Sequence, residues 1–313
     1  MEVYKHFIAE NVAPKGARDI GVYRNGEKVG RIPLGSLAPP VGKPLYSFGL
    51  LADPHAGRSA EKNAALKSAV ELLTRSGVAF ICIAGDIVDD GSIEKHWIDY
   101  AEAVGGAGDI PVYAINGNRE QWHWDCIPEF SKEYAGIEKC VYHFHHDDDL
   151  FVMMGTWKYA QTEDAAVQAQ MLPAADLIAL RTLMNENRNK RCFFIQHVRP
   201  EPTLAGGNGS DAVPEQGVIS MAFYQHFKNV TVFHGHSHSR LEAQEGHPKA
   251  NYRDDQGFRS VHIPALVDYD QGYIVDVYCD GYHLRGMDLV ANEDIPIGNF
   301  WIDTPIVGVE TEY

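Results

Sequence analysis

The sequence predicts an α/β fold: a large mixed sheet system with helices outside, carrying an N-terminal β-hairpin as an appendage. Three observations predict it. Short apolar runs alternate with segments of helical spacing between residues 45 and 115, a βαβαβ pattern that lays parallel strands side by side. Further along, paired apolar runs close on polar turns and add antiparallel hairpins at the sheet edges. Ahead of both, Asn25-Gly26 stands between Gly21-Val22-Tyr23-Arg24 and Glu27-Lys28-Val29-Gly30-Arg31-Ile32, the strongest local signal for a two-residue hairpin turn.

In chain order, the hairpin leads through Ala38-Pro39-Pro40-Val41-Gly42 into Leu45–Leu51, an apolar run of strand length. Ser59–Ser76 carries Leu66, Val70 and Leu73 at helical spacing and stops at Gly77. A strand over Val78–Ala84 follows, then a helix over Ser92–Val104 with Ile93, Trp97, Tyr100 and Val104 on one face, then a strand over Ile110–Ile115. Cys140–Phe144 and Leu150–Trp157 flank His145-His146-Asp147-Asp148-Asp149; with His143 this cluster is rich in ligand types, but its place between apolar runs reads as a solvated turn. Leu177, Leu180 and Met184 predict a helix over 174–189, ahead of strands Cys192–Gln196 and Val230–His234, the second preceded by a helix-like stretch near 219–228. Gly272–Cys279 and Tyr282–Leu289 around Asp280-Gly281 read as a last hairpin. The implied division is a hairpin extension over 1–45, a main domain over 46–290 and a tail over 291–313 packed on it.

Composition narrows the function. The 313 residues are 45% hydrophobic and 22% charged, as in ordinary globular proteins, and no apolar run approaches the roughly 18 residues of a membrane helix. A net charge of −16 repels polyanions, which disfavours nucleic acid. A small phosphorylated substrate stays compatible, because bound divalent cations dominate the local potential. Cys82, Cys126, Cys140, Cys192 and Cys279 are an odd set without CxxC spacing and read as reduced thiols. Met1-Glu2-Val3-Tyr4-Lys5-His6 has no basic segment leading into an apolar one, so a cytoplasmic location is expected.

Five short motifs end five apolar runs: Asp53-Pro54-His55, Gly85-Asp86-Ile87-Val88-Asp89, Gly117-Asn118-Arg119-Glu120, His197, and Gly235-His236-Ser237-His238. Ligands of α/β sheets bind at the carboxyl ends of the strands. Asp53 and Asp86 are 33 residues apart and Asp86 and Asn118 are 32 apart, each near one βαβ unit, so the first three motifs share an edge. The i, i+2 spacing in Asp53–His55 and His236–His238 directs both side chains one way on an extended backbone. Carboxylates, imidazoles and one amide suit Mn, Fe or Zn rather than a thiolate-held structural zinc. A shared carboxylate such as Asp86 bridges two ions, and two such ions generate hydroxide at neutral pH and neutralise a phosphoryl transition state.

The ordered set DxH, GDxxD, GN, a lone His and GHxH resembles the calcineurin-like metallophosphoesterase family over about residues 46–290. The resemblance implies a four-layer α/β/β/α sandwich with the site between the upper sheet edges. It implies one ion on Asp53, His55, Asp86 and His238 and another on Asp86, Asn118, His197 and His236, with Asp86, Asp89, Asn118, Arg119 and His197 as candidate catalytic residues. Two departures stand out. Arg119 occupies the position where the family has histidine, and Asp90 the position where the protein Ser/Thr phosphatases have arginine, so that subfamily is disfavoured. The GNR(D/E) variant resembles, locally, the pyrophosphohydrolase of lipid A synthesis.

The reading is therefore a dinuclear hydrolase of a phosphodiester or pyrophosphate bond in a small molecule; a phosphomonoesterase, a nuclease and a non-catalytic scaffold are the alternatives. Asp89 is expected to pair with Arg119. His234 is expected to support the ligands rather than belong to them, and Arg199 is a candidate phosphate contact. Gly206-Gly207-Asn208-Gly209-Ser210 lacks the ending of a phosphate loop, and residues 198–218 are long enough to act as a lid or specificity loop. The hairpin is expected to lie outside the chemistry, packing on the main body or mediating self-association.

Overall fold

A computed structural model describes residues 19–24, 27–33, 42–121, 129–156, 174–199, 222–227, 229–241, 252–253 and 258–303. The glycine-rich stretch 206–210, most of 198–218 and the turn residues Asn25 and Gly26 lie outside them. Strands β1 (Asp19–Arg24) and β2 (Glu27–Pro33) pair antiparallel with Arg24 opposite Glu27, which leaves the two-residue connection that Asn-Gly signals.

Two mixed sheets carry the rest. In the seven-stranded sheet β3 (Tyr46–Leu51), β4 (Phe80–Ile83) and β5 (Val112–Ala114) run parallel. Beyond β3 the sheet continues antiparallel through β12 (Gln271–Val277) and β13 (Gly281–Asp288), which also pairs β14 (Glu293–Asp294) and β15 (Phe300–Asp303). The six-stranded sheet has the order β10 (Tyr252–Arg253), β11 (Arg259–His262), β9 (Val230–His234), β8 (Cys192–Gln196), β7 (Asp149–Met154), β6 (Val141–His146), and is parallel from β11 to β7.

Strand alternation explains the layering. Phe48, Phe80, Phe151, Phe193, Phe233 and Tyr273 point between the sheets and form one core. Phe48 and Phe80 stack at 5.3 Å, and Phe151 meets both edge-on. On its other face the first sheet packs Ile81 and Ile83 against α1 (Ala60–Arg75) and α2 (Glu94–Val104). The second sheet packs Val152, Phe194 and Val232 against α5 (Ala174–Glu186), which follows the short helices α3 (Asn118–Gln121) and α4 (Glu129–Ala135). Helix, sheet, sheet, helix is the four-layer sandwich expected. Among the described residues no helix is long and apolar enough to cross a membrane.

Local chemistry sets the boundaries. The Ser59 side chain accepts Lys62 N–H at 3.2 Å and starts α1, and Gly77 at φ 75° follows its end. At α2 the expectation was two residues too long at its start: the helix begins at Glu94 rather than Ser92, and Ile93 is exposed at its cap rather than on the buried face of Trp97 and Tyr100.

The polar cluster after β6 differs more. His145 and His146 are strand residues opposite Leu150 and Asp149, so only Asp147 and Asp148 make the turn. Asp149 is buried. Its carboxylate takes Arg191 Nε and Nη2 at 2.8 Å each and the Tyr46 hydroxyl at 2.5 Å. Arg191 donates its remaining nitrogen to the carbonyls of Tyr278 and Gly281. This network ties both sheets together at the end of the strands away from the motifs.

Candidate metal centre

Every motif residue lies where the expectation put it, at the carboxyl edge of a strand. Asp53 follows β3, Asp86 follows β4, Asn118 opens α3 beyond β5, His197 follows β8, and His236 and His238 follow β9. The reason the side chains converge differs from the i, i+2 argument. Asp53, His55, Asp86, His236 and His238 all have left-handed backbone, φ 46° to 68°, and make up five of the eight described non-glycine residues with positive φ. Tight turns, rather than extended backbone, aim these side chains inward. Such conformations are unfavourable for residues with a Cβ and cluster at functional sites.

Gly85 at φ 83° lets β4 turn sharply into Asp86, and a Cβ there would lie 2.6 Å from His197 Nδ1. Gly117 is close-packed: a Cβ would lie 2.3 Å from both the Asp86 amide nitrogen and its Oδ1. Backbone bonds then join the motifs, Asp53 N to Gly85 O at 3.1 Å, His55 N to Asp86 O at 3.0 Å and Gly235 N to His197 O at 3.0 Å.

Two groups of donor atoms result. Asp53, His55, Asp86 and His238 form one, Asp86, His197 and His236 the other, and within each group all donor atoms lie within 4.8 Å of one another. Asp86 is common to both. His55 Nε2 is 3.2 Å from His238 Nε2 and 3.6 Å from Asp86 Oδ2, and His238 Nε2 is 3.4 Å from Asp53 Oδ1. His197 Nε2 is 2.9 Å from Asn118 Oδ1, 3.3 Å from Asp86 Oδ1 and 3.1 Å from His236 Nδ1. Asn118 therefore joins the second group.

These spacings fit shared cations. Ligands about 2.0–2.2 Å from one ion lie about 3.0–3.6 Å from each other. Asp53 Oδ1 is buried with no hydrogen-bond partner, a costly state for a carboxylate oxygen facing other ligands. His197 Nδ1 donates to the Ala84 carbonyl at 2.9 Å, which directs Nε2 toward the group.

The sequence over residues 46–240, more than half of the chain, matches the family of calcineurin-like phosphoesterases. The chain belongs to this family. It is a metal-dependent phosphoesterase, and the family depends on a dinuclear metal centre. Among solved structures, a dimetal phosphatase from Danio rerio is similar at a TM-score of 0.62 and 14% identity, covering 83% of this chain and 99% of that one. A purple acid phosphatase from yellow lupin (Lupinus luteus) seeds is similar at a TM-score of 0.57 and 10% identity, covering 85% of this chain and 55% of that one. At such identities the likeness shows the fold. A search of curated proteins finds no match.

In this calcineurin-like phosphoesterase, carboxylates and imidazoles balance each other's charge. Burial opposes ionisation of Asp86, but the neighbouring His197 charge and hydrogen bond hold its carboxyl well below the usual range. Burial would also lower His197, and the facing Asp86 carboxylate overcomes it, pushing the imidazole up to about 10. His236 falls to about 4, through burial and the charge on His197.

Three residues without an expected role complete the site. Glu120 is fully buried, and its carboxylate takes the Val88 amide at 2.9 Å and the Gly117 amide at 2.6 Å, tying the Asp86 and Asn118 loops together. Burial pushes its carboxyl up to about 8, helped by Asp86. Arg58 donates to Asp89 at 2.8 Å, and Asp89 Oδ1 lies 3.1 Å from His55 Nδ1. Asp89 is thus engaged by Arg58 and His55 in place of the expected Arg119. Arg119 is half-buried, with its amide donating to Asp86 Oδ1 at 2.8 Å. Asp268, on α6 (Leu266–Tyr269), lies 2.5 Å from His238 Nδ1.

His234 belongs to neither group. It faces His262 across β9 and β11 at 5.5 Å between ring centroids, and neither ring has a hydrogen-bond partner of good geometry. Burial depresses both rings, and the charge of the buried Arg199 adds to it. Burial, then Arg199, holds His262 at about 4 against an ordinary 6.5. The folded chain therefore binds fewer protons here than the unfolded one, so stability is complete above pH 6.5 and is lost as pH falls toward 4. Urea unfolding should lose about 2 kcal/mol between pH 7.5 and pH 5 from this residue, and His262→Gln should show a correspondingly flatter pH dependence. Equal slopes in the two proteins would contradict it.

Proposed function

We propose that the two groups are the ligand sets of a dinuclear centre, one ion on Asp53, His55, Asp86 and His238, the other on Asp86, Asn118, His197 and His236. With Mn, Fe or Zn held there, the chain would hydrolyse a phosphodiester or pyrophosphate bond in a small phosphorylated molecule. The observation that carries this reading is the shared Asp86, with one carboxylate oxygen toward each group. Ions held there would supply a nucleophile at neutral pH and offset the charge of an in-line phosphoryl transition state.

The chain's own residues supply the rest. Glu120 fixes the spacing of two ligand loops. Arg119, anchored by its amide to Asp86, carries a permanent forked charge of the kind that stabilises a leaving oxyanion. A guanidinium is a poor proton donor at neutral pH, so leaving groups that depart as stable anions are favoured over alkoxides. Asp90 turns inward on Ser92, accepting its amide at 2.9 Å and its hydroxyl at 2.6 Å, and offers no arginine-like phosphate clamp.

The test is a panel of aryl mono- and diesters, nucleotides and nucleotide-sugar pyrophosphates under Mn²⁺, Zn²⁺ and Fe²⁺, with metal content measured on the same protein. Anhydrides or activated diesters should exceed alkyl monoesters in kcat/KM, and Arg119→His should narrow the gap by about tenfold or more. A wild type that prefers alkyl monoesters, with unchanged selectivity in the histidine variant, would remove Arg119 from the reaction.

A further inference from the structure

We propose that Asp268 is a positioning residue that makes the Asp53, His55, Asp86 and His238 position the tighter-binding of the two metal positions. The inference rests on the dinuclear reading above and goes beyond it, because it ranks the two positions and assigns the ranking to a residue beyond the matched stretch of 46–240.

His238 has 29% of its side chain accessible, where His55 and His197 have none, and its backbone is left-handed at φ 49°. A side chain so placed has rotamers open toward solvent, and holding it in one of them has an entropic cost. Asp268 supplies the restraint. Its Oδ2 lies 2.5 Å from Nδ1, so Nδ1 carries the proton and Nε2 turns to Asp53 Oδ1 at 3.4 Å and His55 Nε2 at 3.2 Å. The helix that presents Asp268 is docked on the first ligand loop, with Leu266 N bonded to Ala52 O at 2.9 Å and Val267 N to Asp53 O at 3.1 Å. One rigid piece therefore places both Asp53 and His238.

The two groups differ in what stands behind their imidazoles. Asp89 stands behind His55 at 3.1 Å and Asp268 behind His238. Behind His197 stands the Ala84 carbonyl at 2.9 Å, and His236 faces the group through Nδ1, 3.1 Å from His197 Nε2, with no described carboxylate on its other nitrogen. Outer carboxylates orient an imidazole, raise its basicity as a ligand and add negative charge near the cation. Two of them back the first group; Asp89 shares its charge with Arg58 at 2.8 Å, so Asp268 supplies most of the added negative charge, and among the described residues no outer carboxylate is in hydrogen-bond contact with the imidazoles of the second.

The experiment titrates the metal-free full chain with Mn²⁺ by calorimetry for wild type, Asp268→Ala, Asp268→Asn and the control Asp270→Asn, with circular dichroism and melting curves on each. Asp270 caps the same helix at φ 57°, a conformation asparagine tolerates. Wild type should take up two ions in two steps. Asp268→Ala should weaken the tighter step about 10–100-fold and the weaker one less than about threefold, Asp268→Asn should fall between, and Asp270→Asn should match wild type. Saturating Mn²⁺ should restore kcat in Asp268→Ala, as expected when affinity rather than chemistry is lost. Should Asp268→Ala fail to fold, the asparagine variant carries the comparison. Both steps weakened alike, or neither changed, would overturn the role of Asp268 while leaving the dinuclear reading intact. A wild type that never binds a second ion would overturn both.

Discussion

Asp86→Asn should remove both metals from the calcineurin-like phosphoesterase and lower kcat by on the order of 10³-fold, as the loss of several kcal/mol of transition-state charge stabilisation requires. Asparagine tolerates the φ of 46° at this position and keeps an oxygen for the Arg119 amide, so the loop should hold its shape. What disappears is the one charge that faces both groups, with Oδ2 3.6 Å from His55 and Oδ1 3.3 Å from His197. The measurement is metal content by mass spectrometry beside turnover, with circular dichroism to verify the fold. Two retained ions and near-normal rates would show that Asp86 does not bridge.

The second large effect concerns the opposite end of the sandwich. Asp149→Ala should destabilise the protein by about 3–5 kcal/mol, since it leaves the Arg191 guanidinium buried without its carboxylate. Replacing both partners, Asp149→Leu with Arg191→Met, should recover much of that loss, because two packed apolar side chains avoid the uncompensated charge. Urea unfolding of the three variants decides the matter. A single variant within about 1 kcal/mol of wild type would place the guanidinium in water, contrary to its 5% exposure.

The contrast between these two sites shows what the sequence made legible. Asp53, Asp86, Asn118, His197 and His236 were visible because each ligand directly follows the apolar run that places it, so position along the chain and position in space coincide. Arg191 and Asp149 are 42 residues apart, and nothing beside Asp149 distinguishes it from the turn residues Asp147 and Asp148. Asp268 and Arg58 were equally silent: Asp268 meets His238 from 30 residues away and Arg58 meets Asp89 from 31, each without a motif of its own. Glu120 lay inside a motif, yet its role depends on the Val88 amide, 32 residues earlier. The hairpin signal of Asn25-Gly26 and the apolar alternation of the strands were readable because turn chemistry and burial period act locally. The convergence of Asp53 with His55 was inferred from the wrong backbone, since spacing alone does not distinguish an extended chain from a left-handed turn.

Those left-handed turns have a consequence for anyone who would engineer this protein. At His55, His236 and His238 a side chain with a Cβ occupies a backbone conformation that glycine adopts freely, at a difference of about 1–2 kcal/mol per residue. A stability-guided search of sequence space would therefore rank the removal of these imidazoles among its gains, and would rank it higher still for the metal-free chain. A thermostable variant selected without metal or substrate should drift toward an inert sandwich with smoother loops, so selection for robustness has to be coupled to selection for turnover.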